Sequence, residues 1–177
     1  MVAELYRAGN TAPMTRPPSA PGQPGQWKQP PLAKIYEAFS AVAAGRVAVT
    51  APGRAAVTSS NGARTYDVWW DGDAVFANDN ASKWQGYAGY PIVAVLLELG
   101  RLRADPALMA PLAGVDWHAL NERFKRRYDE AVELVLAEAA RNGADADAIA
   151  AAARDVAAQL AALRPTRLAR RPKAAGA

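Results

Sequence analysis

Between residues 46 and 77 three turn signals follow one another closely: Pro52-Gly53, Asn61-Gly62 and Asp71-Gly72. Each separates short runs rich in valine, threonine, tyrosine and tryptophan. Asn-Gly and Asp-Gly suit the two-residue hairpin loop, whose central positions both need positive φ. Strands are therefore expected over residues 46–50, 54–59, 64–70 and 73–77, and tight hairpins make consecutive strands antiparallel. Val47 and Val49, like Tyr66, Val68 and Trp70, recur at every second position and give each strand one apolar face. A small antiparallel β-meander covered on one side is the expectation, and helices from elsewhere must cover it.

Those helices are readable from the 3.6-residue period. Residues 34–44 put Ile35, Phe39 and Val42 on one face, with Lys34, Glu37 and Ser40 elsewhere, and Gly45 as a stop. Residues 92–102 follow Pro91 and are nearly apolar all round, which predicts the most buried helix. A further turn starts at Asp105-Pro106. Asp116 is placed to cap a long helix running to about residue 141, with Trp117, Leu120, Phe124, Tyr128, Ala131, Val135 and Ala139 at steps of three and four. Asn142-Gly143 closes it, and Asp145 or Asp147 caps an alanine-rich helix to residue 163, forming a helical hairpin over 116–163. The fold class is thus α+β: a small antiparallel meander packed by a buried helix, followed by a C-terminal α-helical hairpin.

The 177 residues suit one domain. Residues 1–32 contain seven of the 13 prolines and read as a disordered arm, in which Trp27 either docks on the domain or stays solvated. Residues 33–163 form the domain. Residues 164–177 contain Arg164, Arg167, Arg170, Arg171 and Lys173 with no acid and read as a basic disordered tail. The net charge of +4 divides into +2, −3 and +5 over these three segments, so the folded part is mildly acidic. Electrostatic attraction to a polyanion belongs to the tail. No apolar run is long enough to span a membrane, and no leader is readable, so a cytoplasmic protein without membrane contact is expected.

With no cysteine and one histidine, His118, the chain cannot build a disulfide, a thiolate zinc site or a two-histidine metal site. No phosphate-binding glycine loop or nucleophile motif is present. Asp71, Asp73 and Asp79 are the carboxylates nearest one edge of the meander, and exposed turn positions account for them. Arg123, Lys125, Arg126 and Arg127 lie among acids that offer intrahelical pairs. No catalytic residue, metal ligand or cofactor is assigned.

The densest unusual segment is residues 78–91, where Lys83, Trp84, Tyr87 and Tyr90 are interleaved with Gly, Asn and Gln behind Trp69-Trp70. Aromatics so placed serve either as anchors of a strand-to-helix loop or as exposed faces for bases or a partner. The stretch TSSNGARTYDVWWDGDAVFANDNASKWQGYAGYPIVAVLLELGRL, within residues 46–102, resembles the SWIM zinc-finger domain: a β-hairpin, a CxC pair, a short loop and CxH opening a helix. Asn78, Asn80, Gly89 and Pro91 stand at the four metal positions, so all four ligands are lost. The resemblance implies a ββα scaffold without zinc, Asn78 and Asn80 capping turn amides, and a non-catalytic role in binding DNA or protein. The expected function is a nucleic-acid-associated binding module using Arg164, Arg167, Arg170, Arg171, Lys173 and Lys83, with Trp70, Trp84, Tyr87 and Tyr90 as an aromatic contact surface. The alternative is a protein-interaction subunit or homo-oligomer using the helical hairpin.

Overall fold

A computed structural model describes residues 25–169. Helix α1 (Ala33–Ala43) leads into four antiparallel strands, β1 (Val47–Ala51), β2 (Arg54–Thr58), β3 (Thr65–Asp71) and β4 (Ala74–Ala77). A π-helical turn (Ala81–Gln85) and α2 (Tyr90–Glu98) follow. Then come the short α3 (Pro106–Met109) with a 3-10 turn (Ala110–Leu112), α4 (Trp117–Arg123), α5 (Tyr128–Arg141), α6 (Ala146–Leu163) and β5 (Thr166–Arg167). The α+β class and the meander stand as read from the turn signals. Val47↔Val57, Val57↔Tyr66, Ala55↔Val68 and Val68↔Ala77 are paired in register. Their period-two alternation turns Ala55, Val57, Val68, Val75 and Ala77 onto the face beneath α2.

Helix α1 departs from the expected amphipathic element. Ala33–Ala41 is buried on every side, Lys34, Glu37 and Ser40 included, because α1 touches α2 on one flank and α3, α5 and α6 on others. The polar side chains satisfy one another: Lys34 Nζ donates to Glu37 Oε1 at 2.7 Å, and Arg46 donates to Ser40 Oγ at 2.9 Å. Helix α2, buried from Pro91 to Leu97, shares the central position rather than holding it alone.

The single long helix from Asp116 to Arg141 is two helices. Lys125 (φ 49°) and Arg126 (φ 65°) are left-handed, and Arg126 N–H donates to Asn121 O, closing α4. This break costs about 1–2 kcal/mol per non-glycine residue. It redirects the chain so that the Tyr128 ring lies 4.6 Å from Lys34 Nζ. Asp116 and Asp145 cap α4 and α6 through Ala119 N–H and Ala148 N–H, so Asp145 rather than Asp147 holds the cap.

The ordered body also extends past both expected boundaries. Trp27 is buried, its indole N–H donates to Val75 O at 3.1 Å, and its backbone N–H donates to Pro165 O. Thr166–Arg167 adds a fifth strand parallel to β4, with Thr166 N–H donating to Asp73 O and Leu168 N–H to Val75 O. The sheet order is β1-β2-β3-β4-β5, so the two flanking segments cover the β4 edge together. Residues 1–24 and 170–177, and with them most of the expected arm and tail, lie outside the described residues. Among the described residues no helix is long and apolar enough to cross a membrane.

Candidate functional site

Beyond the end of β4 the chain makes one compact device. Asp79 is buried, and its Oδ2 accepts Ala81 N–H at 3.0 Å and Ser82 N–H at 3.3 Å, which starts the π-helical turn. Ser82 Oγ in turn accepts Gly89 N–H at 3.4 Å. Gly86 ends the turn with φ 77°, a conformation glycine takes without strain. Gly89 is small for a different reason: its φ is ordinary, but a Cβ there would stand within 3 Å of the Asp79 carboxylate. The capping expected of Asn78 and Asn80 is therefore done by the residue between them. Asn78 Oδ1 accepts Asp67 N–H on β3, and Asn80 makes no side-chain cap bond.

This device forms one wall of a cavity of about 690 Å³. Asp79, Tyr87 and Tyr90 line it from the loop and α2, and Tyr66 from β3, with the Tyr66 and Tyr90 rings edge to face at 6.0 Å. The opposite wall comes from elements far away in sequence: Lys34 and Glu37 of α1, Trp117 and Asn121 of α4, and Tyr128. Asn121 Nδ2 donates to Glu37 Oε1 at 3.3 Å, tying α4 to the buried ion pair. The β2–β3 turn closes a third side, held to α4 by His118 N–H donating to Ser60 Oγ at 3.0 Å. Trp84, 81% exposed, stands at the mouth with the exposed Arg64 and Arg126. Neither guanidinium makes a hydrogen bond or ion pair among the described residues.

Electrostatically the cavity is rich in donors. Burial pushes the Tyr87 and Tyr90 hydroxyls up, Tyr90 far above the ordinary tyrosine range, so both stay protonated. Burial alone would lower Lys34, but the charge and hydrogen bond of Glu37 outweigh it and raise its pKa, so it stays an ammonium. Two side-chain atoms of lining residues, Asp79 Oδ1 and Trp117 Nε1, are fully enclosed and have no hydrogen-bond partner among the described residues.

Of the aromatic contact residues expected from sequence, Trp84, Tyr87 and Tyr90 meet at this cavity and Trp70 does not; it is half-buried on the core side of β3. Its neighbour Trp69 lies on the outer face, 5.8 Å from Phe76, with the Arg54 guanidinium 5.9 Å from its ring. Lys83 is exposed on the π-helical turn beside Trp84. Arg164 is the left-handed cap of α6 (φ 48°). Arg167 stacks 4.6 Å over Trp27 and donates to Gly86 O at 3.2 Å, which binds β5 to the aromatic loop. Arg170, Arg171 and Lys173 lie outside the described residues. Asp71, Asp73 and Asp79 do not converge: Asp73 pairs with Arg101, and Asp79 is enclosed by its turn.

Sequence reasoning missed the inner wall, namely Lys34, Glu37, Trp117, Asn121 and Tyr128. The available signal was a lysine and a glutamate three residues apart in a helix otherwise made of Ala, Ile, Tyr, Phe, Ser and Val. The family described as "Uncharacterised conserved protein UCP014422" matches residues 27–166. Neither a curated protein nor a solved structure matches the chain.

Proposed function

The chain belongs to the family that spans it from residue 27 to 166, and from its geometry we propose that it is a non-catalytic binding module for single-stranded nucleic acid. The aromatic loop over the cavity is its recognition surface. One observation carries the reading: Trp84, with four-fifths of its surface exposed, stands at the mouth of a concave site beside two uncommitted arginines. An exposed indole is a stacking platform for any base, and guanidinium groups track the adjoining phosphates. The basic segment is anchored to the same place, since Arg167 is hydrogen-bonded to Gly86 only three residues before Arg170. The raised tyrosines and the neutralised Lys34–Glu37 pair supply fixed donors and no base or nucleophile poised near neutral pH, which favours binding over catalysis. The SWIM-like order of hairpin, loop and helix fits the same non-catalytic role.

The test is a salt titration of binding to generic single-stranded and double-stranded DNA and RNA. Single strands are expected to bind more tightly. Trp84→Ala is expected to cost about 1–3 kcal/mol. Removing residues 170–177, which deletes Arg170, Arg171 and Lys173 but spares β5, is expected to flatten the slope of log K against log salt by about 2. Affinity and slope left unchanged by both alterations refute the proposal.

A further inference from the structure

The polar groups around the cavity beneath Trp84 divide into those already paired and those still open. Lys34 and Asn121 are paired with Glu37, Arg46 with Ser40 and Thr58 O, and His118 with Glu122. Ser59 and Ser60 hold the β2–β3 turn. Asp79 Oδ1 and Trp117 Nε1 are enclosed and offer a ligand nothing. Still open inside are the hydroxyls of Tyr66, Tyr87, Tyr90 and Tyr128, all four side chains half-buried and none hydrogen-bonded among the described residues. Tyr87 lies close enough to Lys34, Glu37 and Tyr128 to sense their charge, and Tyr90 to Tyr66, Glu37 and Arg46, so the four form one group about the Lys34–Glu37 pair. At the rim stand the exposed amides of Asn80 and Gln85, the Trp84 indole and the Arg64 and Arg126 guanidinium groups, likewise without a hydrogen bond among the described residues.

This division fits a nucleotide of a bound strand in one orientation. The uncompensated charge is at the mouth, because Glu37 neutralises Lys34 inside while Arg64 and Arg126 stand outside, so phosphates belong at the rim. The exposed stacking face, Trp84, is at the rim as well, and the base stays there with it. In a nucleotide the sugar joins base to phosphate, and with both of those at the rim it is the sugar that faces the cavity. A group that is uncharged and both donates and accepts is the complement of a wall of protonated hydroxyls, and the ribose 2′-OH is such a group. We propose that the module selects RNA over DNA by bonding the 2′-OH of one ribose to the tyrosine hydroxyls of the cavity. A deoxyribose in the same place presents a methylene to these hydroxyls and displaces their water without replacing its hydrogen bonds. The inference rests on the strand-binding reading above and adds the sugar to it.

The full chain is titrated at one salt concentration with a short uridylate strand, with the deoxyuridylate strand of the same length and with the 2′-O-methyl counterpart, following tryptophan fluorescence. The first two differ only at the 2′ position. The uridylate strand is expected to bind about tenfold more tightly, the size of about one hydrogen bond. The 2′-O-methyl strand keeps the RNA sugar pucker but has no hydroxyl to donate, and is expected to bind no more tightly than the deoxy strand. Tyr66→Phe, Tyr87→Phe, Tyr90→Phe and Tyr128→Phe each delete one hydroxyl and keep the ring. At least one of them is expected to cut the ratio of RNA to DNA affinity to about threefold or less. A merely structural effect weakens both strands alike and leaves that ratio where it was. A ratio unchanged in all four variants overturns the proposal, as does a 2′-O-methyl strand bound as tightly as RNA, which would trace the preference to pucker. Equal affinity for the uridylate and deoxyuridylate strands overturns it and spares the strand-binding reading; binding of neither strand sinks that reading and this inference with it.

Discussion

Gly89→Ala separates space from backbone at the heart of the candidate site. With φ −64° and ψ 166°, Gly89 has a conformation that alanine adopts freely, so the cost of the substitution comes from contact. The three atoms nearest to an added Cβ all belong to the Asp79 side chain: Cγ at 2.8 Å, Oδ1 at 2.9 Å and Oδ2 closer still. Asp79 cannot swing aside without releasing Ala81 N–H and Ser82 N–H. Losing those two bonds costs about 1 kcal/mol each. Overpacking adds about 1–3 kcal/mol, and the stiffer unfolded chain returns about 0.4–1 kcal/mol. The expected net loss is about 2–4 kcal/mol. Asp79→Ala alone should cost about 1–2 kcal/mol, as a lost cap does. In that background the obstruction is gone, and Gly89→Ala is expected to be neutral within about 0.5 kcal/mol. Urea denaturation of the four proteins, with m-values checked for constancy, measures the cycle. A Gly89→Ala cost equal in both backgrounds refutes the assignment of Asp79 as the group that excludes a side chain from position 89.

Trp27→Ala is expected to lower stability by about 3–5 kcal/mol, since it empties a core position and leaves Val75 O without the indole donor; a urea midpoint unchanged from wild type would show that Trp27 lies outside the folding unit. Glu37→Ala strands the Lys34 ammonium beside Tyr128 and should cost about 3–5 kcal/mol, whereas Lys34→Met combined with Glu37→Leu should cost much less. Equal losses in these two proteins, by the same assay, would contradict the buried-pair reading. Tyr36, Tyr87, Tyr90 and Lys34 all have folded pKa values raised above their ordinary ones. The folded state therefore holds these protons more tightly than the unfolded state, and the contribution is fully present below about pH 10 and lost as pH rises further. Stability should accordingly fall above pH 10, and the tyrosinate absorbance of the native protein should develop later than that of the urea-unfolded chain; coincident titrations would count against the burial of these hydroxyls.

What was legible in this sequence is what local physics encodes. Asn61-Gly62 and Asp71-Gly72 mark where the chain reverses, and the alternation in Tyr66, Val68 and Trp70 sets the face, so the meander follows from nearest neighbours. The loops themselves are not the expected Asn-Gly and Asp-Gly pairs, since Asn61 and Asp71 keep negative φ, the first loop has four residues inside the Ser59 N–H to Arg64 O bond, and the second is Gly72-Asp73. Asp116 and Asp145 cap helices through amides only three residues away. The misreadings share the opposite property. Thr166–Arg167 is a strand only because the β4 edge and Trp27 are already there to pair with it. The helix break at Lys125 and Arg126 carries neither Gly nor Pro, and its reward lies in where Tyr128 lands.

The candidate site divides the same way. Its outer wall, with Trp84, Tyr87 and Tyr90, stands out as an aromatic cluster within seven residues. Its inner wall is drawn from α1 and α4 and from Tyr128 at the start of α5, more than eighty residues apart along the chain. Lys34 and Glu37 resemble the solvated face of an amphipathic helix until Asn121 of α4 and Tyr128 of α5 close over them. Asp79 illustrates why that matters for function. In the sequence it is one more turn aspartate, like Asp71 and Asp73. In the fold, Gly89, ten residues on, leaves room for its carboxylate to turn inward, so that one oxygen caps the turn and the other is enclosed against Gly89 behind the cavity wall. Neither residue signals this alone, because a glycine with ordinary φ and an aspartate after a strand are both commonplace. Their meaning is joint, and it is why the cycle between positions 79 and 89 tests the site more directly than any single substitution.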